Sequence, residues 1–135
     1  MIKKYNKTNK HTYAPILLFT YTRLHSLKRL VKSLKSNKES YNHELFIFSD
    51  APKNIKDKKQ VGKVRDYIKT IKGFKKIIIF NNKKNFGTAL NIINGVSKVI
   101  NKRKKVIILE DDLLLSSHFL DYMNKSLAKY EKLKK

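Results

Sequence analysis

The sequence predicts an α/β domain built on a parallel sheet that carries helices on both faces. Short apolar runs alternate with stretches whose apolar residues recur at helical spacing, the pattern expected of repeated strand–helix units. The apolar runs are continuous, as is typical of parallel strands that are buried on both sides. A length of 135 residues fits a single domain whose core needs no disulfide or metal for stability.

The first half of the chain contains two predicted strands, each followed by a helix. The segment from Ala14 to Thr20 (APILLFT) is a short apolar run with a proline near its start, which indicates a buried strand. The second strand is predicted from Glu44 to Ser49 and ends at the turn-forming sequence Asp50-Ala51-Pro52. The two helices are indicated by apolar residues at helical spacing: Leu24, Leu27, Leu30, Val31 and Leu34, then Val61, Val64, Ile68 and Ile71.

The second half repeats this pattern, with a third strand from Lys76 to Phe80 and a fourth from Val106 to Leu109. A polar, asparagine-rich loop from Asn81 to Gly87 follows the third strand. Two more helices are indicated by apolar residues at helical spacing: Ala89, Ile92, Ile93, Val96 and Ile100, then Phe119, Met123, Leu127, Tyr130 and Leu133. Because strands and helices alternate, we expect a parallel sheet covered on both faces.

The chain is predicted to consist of a basic, flexible arm at residues 1–13 and one compact α/β domain at residues 14–135. The absence of cysteine excludes a disulfide framework and a thiolate metal site. No apolar run approaches the roughly 20 residues that span a bilayer, and the N-terminus lacks the apolar stretch of a secretory signal. We therefore expect a soluble protein in the cytoplasm.

The net charge of +22 predicts attraction to anions such as nucleic acid, anionic lipid, phosphates or sugar nucleotides. Nearly all of this charge is lysine, and only four arginines occur: Arg23, Arg29, Arg65 and Arg103. Specific phosphate or base recognition usually favours the planar guanidinium, so we interpret the lysines mainly as a solvated surface. A module that binds nucleic acid or an anionic surface remains an alternative. The charge is also compatible with peripheral association at the inner face of an anionic membrane.

Polar and charged side chains follow each predicted strand, at the edge where an open α/β sheet binds its ligands. The candidates in chain order are Thr20, Tyr21 and Arg23, then Asp50, then Asn85 and Gly87, and finally Glu110, Asp111 and Asp112. Several of them have a simpler interpretation. Arg23 can be a solvated residue of the first helical turn, Asp50 can be a turn former, and the asparagine and glycine can serve backbone geometry alone.

The acidic triplet Glu110-Asp111-Asp112 is the most informative feature, because the whole chain has only ten acidic residues. Neighbouring carboxylates repel one another unless a cation or hydrogen-bond donors offset their charge. Side chains alternate along an extended segment, so Glu110 and Asp112 are expected to face one way and Asp111 the other. One carboxylate could then bind a hard divalent cation while a neighbour holds a water ligand or a sugar hydroxyl. The alternative is a solvated strand exit, or a cap for the helix that starts near Ser116.

Four stretches of the chain resemble the GT-A class of glycosyltransferases, with bacterial family-2-like enzymes and the N-acetylglucosaminyltransferase type as the nearest relatives. They read APILLFTYTRLHSLKRLVKSL, LFIFSDAP, NFGTALNIINGV and VIILEDDLLLSSHFLDYM, and they cover residues 14 to about 130 in the family's order. The acidic triplet corresponds to the DXD-type metal motif of that class. The resemblance implies a Rossmann-like GT-A fold, of which this chain would be the nucleotide-sugar-binding half, incomplete at its C-terminus.

The resemblance also implies a role for each candidate in binding a nucleotide-diphosphate sugar, with a UDP-sugar as the expected donor. Asp112 would be the direct ligand of Mn²⁺ or Mg²⁺, and Glu110 and Asp111 would hold metal-bound water and the hydroxyls of the ribose or sugar. Asp50 corresponds to the residue that hydrogen-bonds the uracil ring. The remaining candidates lie along the nucleotide: Thr20, Tyr21 and Arg23 beside its length, with Arg23 near phosphate or base, and Asn85 and Gly87 beside the base and sugar.

Neither a general base nor an acceptor site is assigned from the sequence. Asp121 and Glu131 are predicted to be surface residues of the last helix. The histidines show no ligand spacing and are expected at the surface: His11, His25, His43 and His118. We expect the chain to be inactive alone, as a truncated or split product or one domain of a larger enzyme whose acceptor is a glycan, a lipid-linked molecule or a protein. A non-catalytic interaction protein derived from the enzyme fold is a further alternative.

Overall fold

The computed structural model describes residues 13–133, so the predicted basic arm, apart from Tyr13, lies outside the described residues together with His11. Within them, strands and α-helices alternate as predicted. The elements are β1 (Ile16–Thr20), α1 (Leu24–Lys35), β2 (Glu44–Ser49), α2 (Ile55–Ile68), β3 (Lys76–Asn81), α3 (Gly87–Arg103), β4 (Ile107–Glu110) and α4 (Phe119–Leu133), with a short 3-10 helix at Ser40–Asn42. Among residues 13–133, no helix is long and apolar enough to cross a membrane.

The bounds of β2 are those predicted, and the bounds of the other three strands differ from the predicted ones by one or two residues. The ladder of β1 begins after Pro15, which has no N–H to donate and contributes only its carbonyl, to the N–H of Ile107 at 2.9 Å. At the other ends, β3 includes Asn81 and β4 includes Glu110. Glu110 is therefore paired with Phe19 in the sheet, and the turn begins at Asp111.

The four strands form one parallel sheet in the order β3-β2-β1-β4. Residues 16–20 of β1 lie opposite residues 45–49 of β2, and residues 44–49 of β2 lie opposite residues 76–81 of β3. This in-step register brings the carboxyl ends of all four strands to one edge of the sheet. The predicted parallel α/β fold is confirmed.

Two apolar clusters lie on opposite faces of the sheet. The larger one packs α1, α2 and the start of α4 against alternate residues of the strands, including Leu18, Ile47 and Leu109, all of which are buried. The smaller one packs α3 against the intervening residues, among them Leu17 and Phe48. The prediction of helices on both faces is therefore confirmed.

Gly95 is the closest approach of α3 to the sheet. A Cβ atom at this position would lie 2.6 Å from Phe19 and 3.2 Å from Phe48, so no larger side chain fits without a shift. The rings of Phe19, Phe48 and Phe80 stack in series, with centroids 5.0 Å apart, and form the surface on which the helix sits.

One surface prediction is wrong. His43 is fully buried, because its ring fills the space between the start of β1 and α4. Its Nδ1 lies 2.6 Å from the carbonyl oxygen of Ala14, and its Nε2 lies 3.1 Å from Nδ2 of Asn124. Both contacts are satisfied when Nδ1 donates and Nε2 accepts, and burial lowers the pKa of His43. The ring is thus neutral and structural, whereas His25 and His118 are exposed as predicted.

Candidate functional site

A cavity of about 300 Å³ lies at the carboxyl ends of the strands. Its lining contains every candidate from the sequence except Asp112, namely Thr20, Tyr21, Arg23, Asp50, Asn85, Gly87, Glu110 and Asp111. Four further residues that the sequence did not single out also line it: Phe19, Lys53, Thr88 and Asn91. The topology therefore brings three of the four strand ends and the N-terminus of α3 around one space.

Asp50, directly after β2, is a buried carboxylate at the centre of a dense set of hydrogen bonds. Its Oδ1 accepts from the backbone N–H of Ala51 at 3.0 Å, from the N–H of Phe86 at 3.1 Å and from Nδ2 of Asn82 at 3.1 Å. Its Oδ2 accepts from the N–H of Gly87 at 3.0 Å and from Nδ2 of Asn85 at 3.3 Å. Five donors thus surround one carboxylate and hold the loop between β3 and α3 against the end of β2.

The start of α3 contributes directly to this arrangement. Gly87 has φ +76°, a conformation that favours glycine, and the turn it allows directs its N–H and that of Phe86 toward Asp50. N–H groups at a helix N-terminus have no intrahelical acceptor and carry partial positive charge, so a carboxylate is a suitable partner. The side chain of Asn85 also donates to the carbonyl of Ala51 at 2.8 Å.

Arg65 of α2 ties the ends of two strands together from behind the cavity. Its Nε donates to Oγ of Ser49 at 3.1 Å, and its Nη2 lies 2.9 Å from the carbonyl oxygen of Asn82. The same Nη2 is within 3.3 Å of the Ser49 carbonyl and 3.4 Å of the Asp50 carbonyl. One guanidinium therefore contacts carbonyl groups at the ends of both β2 and β3, and the Ser49 carbonyl also accepts from the backbone N–H of Asn82 at 2.9 Å.

The acidic end of β4 is much less densely bonded. Asp111 is buried, and its Oδ2 lies 3.4 Å from both Oγ1 of Thr20 and the backbone N of Tyr21. Nε of Arg23 is 3.6 Å from Oδ1 of Asp111, and its Nη1 is 3.8 Å from Oδ2 of Asp112. The pKa of Asp111 is raised by burial, although Arg23 and the two long hydrogen bonds act in the opposite direction. The free protein thus holds this carboxylate with few and distant partners.

Exposure alternates along the triplet in the predicted sense. Glu110 and Asp112 are exposed and Asp111 is buried, even though the extended backbone gives way to a turn at Asp111. Asp112 lies at the rim, next to Arg23 and outside the lining of the cavity. Among residues 13–133, no group of three or more His, Cys, Asp or Glu side chains is arranged to hold a metal ion.

Tyr21 lines the cavity but uses its hydroxyl within the protein. The hydroxyl donates to Oδ2 of Asp57 at 2.6 Å and accepts from the N–H of Lys53 at 2.8 Å. Burial and the hydrogen bond to Asp57 raise the pKa of Tyr21. The contact fastens the loop before α2 to the end of β1 and brings Lys53 into the lining.

The sequence analysis did not identify three residues that contribute to the site, namely Asn82, Asn91 and Lys53. Asn82 donates from Nδ2 to Asp50 and also, at 2.9 Å, to Oδ1 of the buried Asn91. Asn91 occupies a core-facing position of α3 between apolar neighbours, and that polar position in an apolar stripe was the available signal. No comparable signal identifies Lys53, one lysine among many.

Comparisons with known proteins agree with this geometry. The chain resembles S. aureus TarS in a crystal structure, with a TM-score of 0.63 and 12% sequence identity, over 87% of this chain and 20% of that chain. The S. aureus TarS 1-349 crystal structure gives a TM-score of 0.61 at 12% identity, over 87% of this chain and 32% of that one. The chain thus spans about a fifth to a third of the TarS chains it matches, and at this identity the likeness concerns the fold. No curated protein sequence matches it.

A family model identifies the chain by sequence. The model described as "Glycosyl transferase family 2" matches residues 16–132, which is nearly all of the described part of the chain. This match confirms the family that the acidic triplet and the strand ends predicted, and the structural likeness confirms the Rossmann-like GT-A fold. The chain therefore belongs to glycosyl transferase family 2.

Proposed function

We propose that this domain binds a nucleotide-diphosphate sugar, with UDP as the nucleotide, together with Mn²⁺ or Mg²⁺ in the cavity at the strand ends. The observation that carries the proposal is the buried Asp111, whose long contacts leave its charge poorly balanced beside Asp112 and Arg23. A buried carboxylate is stabilised when a cation or hydrogen-bond donors approach it. Membership of a glycosyltransferase family indicates which ligands supply those contacts.

The donor set suits a metal that is held only in part by protein. Glu110, Asp111 and Asp112 offer hard carboxylate oxygens, the ligand type that Mg²⁺ and Mn²⁺ prefer. A Mg²⁺ ion bound beside a nucleotide usually takes one or two carboxylates and completes its shell with phosphate oxygens and water. That pattern agrees with the lack of a three-residue cluster among residues 13–133. When bound, such a metal neutralises charge on a leaving nucleoside diphosphate.

The chain's own cations would assist at the diphosphate. Arg23 is 62% exposed in its side chain and spans both aspartates, so it can turn toward a phosphate without breaking a short ion pair. Lys53 lies in the same lining, held there by its backbone contact to Tyr21. Fixed cations that meet developing negative charge are a common source of transition-state stabilisation.

The role that we propose for Asp50 requires a change in its hydrogen bonds. A carboxylate offers about four lone-pair positions, and Asp50 already has five donors around it. The predicted hydrogen bond to uracil therefore requires one donor to move, and Asn85 Nδ2 has the longest contact, at 3.3 Å. We propose that Asn85 swings aside when the base enters and that Gly87 and Phe86 stay in place.

Donor binding, rather than turnover, is the activity that we propose for this chain alone. Apart from the carboxylates already assigned, the cavity lining within the described residues contains no further carboxylate or histidine to accept a proton from an acceptor hydroxyl. The acceptor, whether a glycan, a lipid-linked molecule or a protein, is left open. The cytoplasm is proposed as the location, in agreement with the absence of cysteine.

Calorimetric titration with UDP, with and without Mn²⁺, tests the proposal. We expect binding that needs the metal and that is lost in Asp112→Ala and Asp111→Ala. Asp66→Ala is the matched control, since it removes an exposed acid from α2, outside the cavity lining. Binding of equal strength without metal, or in a folded Asp112→Ala protein, would contradict the assignment.

Nucleic acid is the alternative ligand that the charge of +22 suggests. The carboxylates Glu110, Asp111 and Asp112 would repel a phosphate backbone at this edge of the sheet, which speaks against the cavity as its site. A short DNA duplex in the same titration distinguishes the two. Nucleic-acid binding would weaken steeply with salt and would not respond to Asp112→Ala.

A further inference from the structure

The outer face of α3 carries an apolar stripe that the fold does not bury. Phe86, Leu90 and Ile93 follow one another at spacings of four and three residues, so they lie on one side of the helix. Their exposed fractions are 40%, 53% and 58%, respectively. The opposite side of the helix is the one that faces the sheet, through the buried residues Asn91, Gly95 and Val99.

This stripe is unusual for a chain in which nearly a quarter of the residues are Lys or Arg, 32 of 135. Single exposed apolar residues are common, but a contiguous apolar strip on a surface helix generally marks a site of interaction. From Phe86 to Ser97 the helix and its cap contain no charged residue. The solvated lysine surface seen elsewhere is interrupted here.

The charge around the stripe selects the partner. Two exposed lysines, Lys83 and Lys84, lie in the loop directly before it. Lys98 and Lys102, three and seven residues after Gly95, lie instead on the side of the helix toward the sheet, and Nζ of Lys98 is 4.6 Å from the centroid of the Phe80 ring. The chain has no acidic residue between Asp66 and Glu110. A surface that combines an apolar strip with lysines at one end and no nearby acid suits an anionic lipid headgroup layer above acyl chains. A second copy of the chain is disfavoured, because each copy carries a charge of +22.

We propose that α3 docks on an anionic membrane, with Phe86, Leu90 and Ile93 inserted at the boundary between headgroups and acyl chains and with Lys83 and Lys84 at the phosphates. Gly87, the first residue of α3, lines the cavity, so docking would place the cavity next to the lipid surface. The inference does not depend on the nucleotide-sugar proposal, since Phe86, Leu90 and Ile93 lie outside the lining of the cavity. Failure of one leaves the other intact.

Single-tryptophan reporters test the docking face, because the chain contains no tryptophan. Leu90→Trp places the reporter in the stripe, and Ile55→Trp places the matched control on α2 at a site that is 90% exposed. With vesicles of equimolar phosphatidylcholine and phosphatidylglycerol, we expect a blue-shifted emission and quenching by brominated acyl chains for Leu90→Trp alone. Vesicles of phosphatidylcholine should give neither signal. An unshifted spectrum at Leu90→Trp, or the same shift at Ile55→Trp, would overturn the proposal.

Vesicle co-sedimentation separates insertion from simple charge attraction. Replacing both Leu90 and Ile93 with serine should weaken partitioning into the anionic vesicles by at least about tenfold, as expected when a buried apolar side chain is lost. Ile55→Ser, which removes an exposed apolar side chain elsewhere, should leave partitioning unchanged. Equal partitioning of the double variant and the wild type would mean that lysines alone hold the protein there. A blue shift at Leu90→Trp that rises with protein concentration without vesicles would instead assign the stripe to a second copy.

Discussion

Asp50 and Asp111 occupy equivalent places in the fold and yet have opposite surroundings. Each comes directly after a strand, lines the same cavity and is about 95% buried. Asp50 has five donors at 3.0–3.3 Å, whereas Asp111 has two at 3.4 Å and one distant guanidinium. Equal burial therefore hides a large difference in hydrogen bonding, which the number of donors and their distances reveal.

The difference arises from the segments that meet at each strand end. β3 leads into a loop of asparagines and a helix N-terminus, and their N–H groups converge on Asp50. β4 leads into a turn and the irregular segment 113–118, and the donors nearest to Asp111 come from the end of β1. One side of the cavity is thus fixed before any ligand arrives, and the other gains its missing partners from the ligand that we propose.

We expect the largest effect on the free energy of unfolding when the carboxylate of Asp50 is removed. Asp50→Ala leaves two N–H groups at the start of α3 without their acceptor and removes one of the two acceptors of Asn82 and of Asn85, which should lower the free energy of unfolding by about 3 kcal/mol. Urea denaturation measures it, with Asp66→Ala as an exposed acid on α2 that should change little. A loss below about 1 kcal/mol would mean that water replaces the carboxylate and that the comparison with Asp111 is misplaced.

Arg65→Ala tests the same side of the cavity from behind. The variant leaves the Asn82 carbonyl and Oγ of Ser49 without their shared donor, while the Ser49 carbonyl keeps the N–H of Asn82, and it should cost about 2 kcal/mol of unfolding free energy. Arg65→Lys should restore only part of it, because an ammonium group cannot reproduce the planar fork. Lys63→Ala, an exposed cation on the same helix, is the control. Equal stability of the alanine and wild-type proteins would show that the strand ends need no such tie.

His43 offers a third buried polar group, with both ring nitrogens in hydrogen-bonding contact. Its folded pKa is lowered, so between that value and the ordinary 6.5 the unfolded chain binds more protons. Stability should be complete above pH 6.5 and should fall as the pH drops below it, by at most about 1.4 kcal/mol per pH unit. Denaturation across this range, with His43→Gln as the non-titrating variant, measures the slope. An identical slope in both proteins would assign it to other groups.

The smallest expected effect is a gain of stability, whereas the other changes lower it. The raised pKa of Asp111 means that the folded protein binds more protons than the unfolded chain between the ordinary pKa of 3.8 and the raised pKa, so stability falls across that range and is lower once the group is ionised at neutral pH. Asp111→Asn should therefore stabilise the free protein by about 0.5 kcal/mol while it weakens the binding of UDP with Mn²⁺. Thermal denaturation and calorimetry on one sample measure the two together. A loss of stability would show that the pairing with Arg23 outweighs burial.

The sequence by itself was sufficient for the elements, the parallel sheet and the family. Apolar periodicity identifies each strand and helix, because burial of apolar surface is the main contribution to the stability of the fold. That burial requires apolar residues at the spacing of each element. The sequence also predicted a candidate site at the strand ends, where the structure has a cavity, since the carboxyl edge of an open α/β sheet is where ligands bind. The sequence could not predict that His43 is buried, because a buried histidine and an exposed one cannot be distinguished until their hydrogen-bond partners are known.

Only the tertiary structure determined which hydrogen-bond partners each polar residue has. The donors that saturate Asp50 come from positions up to 37 residues away, and the stripe of Phe86, Leu90 and Ile93 is exposed only because Gly95 turns the other face of α3 to the sheet. Hydrogen bonding and exposure depend on which segments, distant in sequence, come into contact. A pattern of neighbouring residues does not predict those contacts. Local apolar order determines the fold, whereas the convergence of distant segments determines which carboxylate the protein surrounds with donors and which it leaves with few partners.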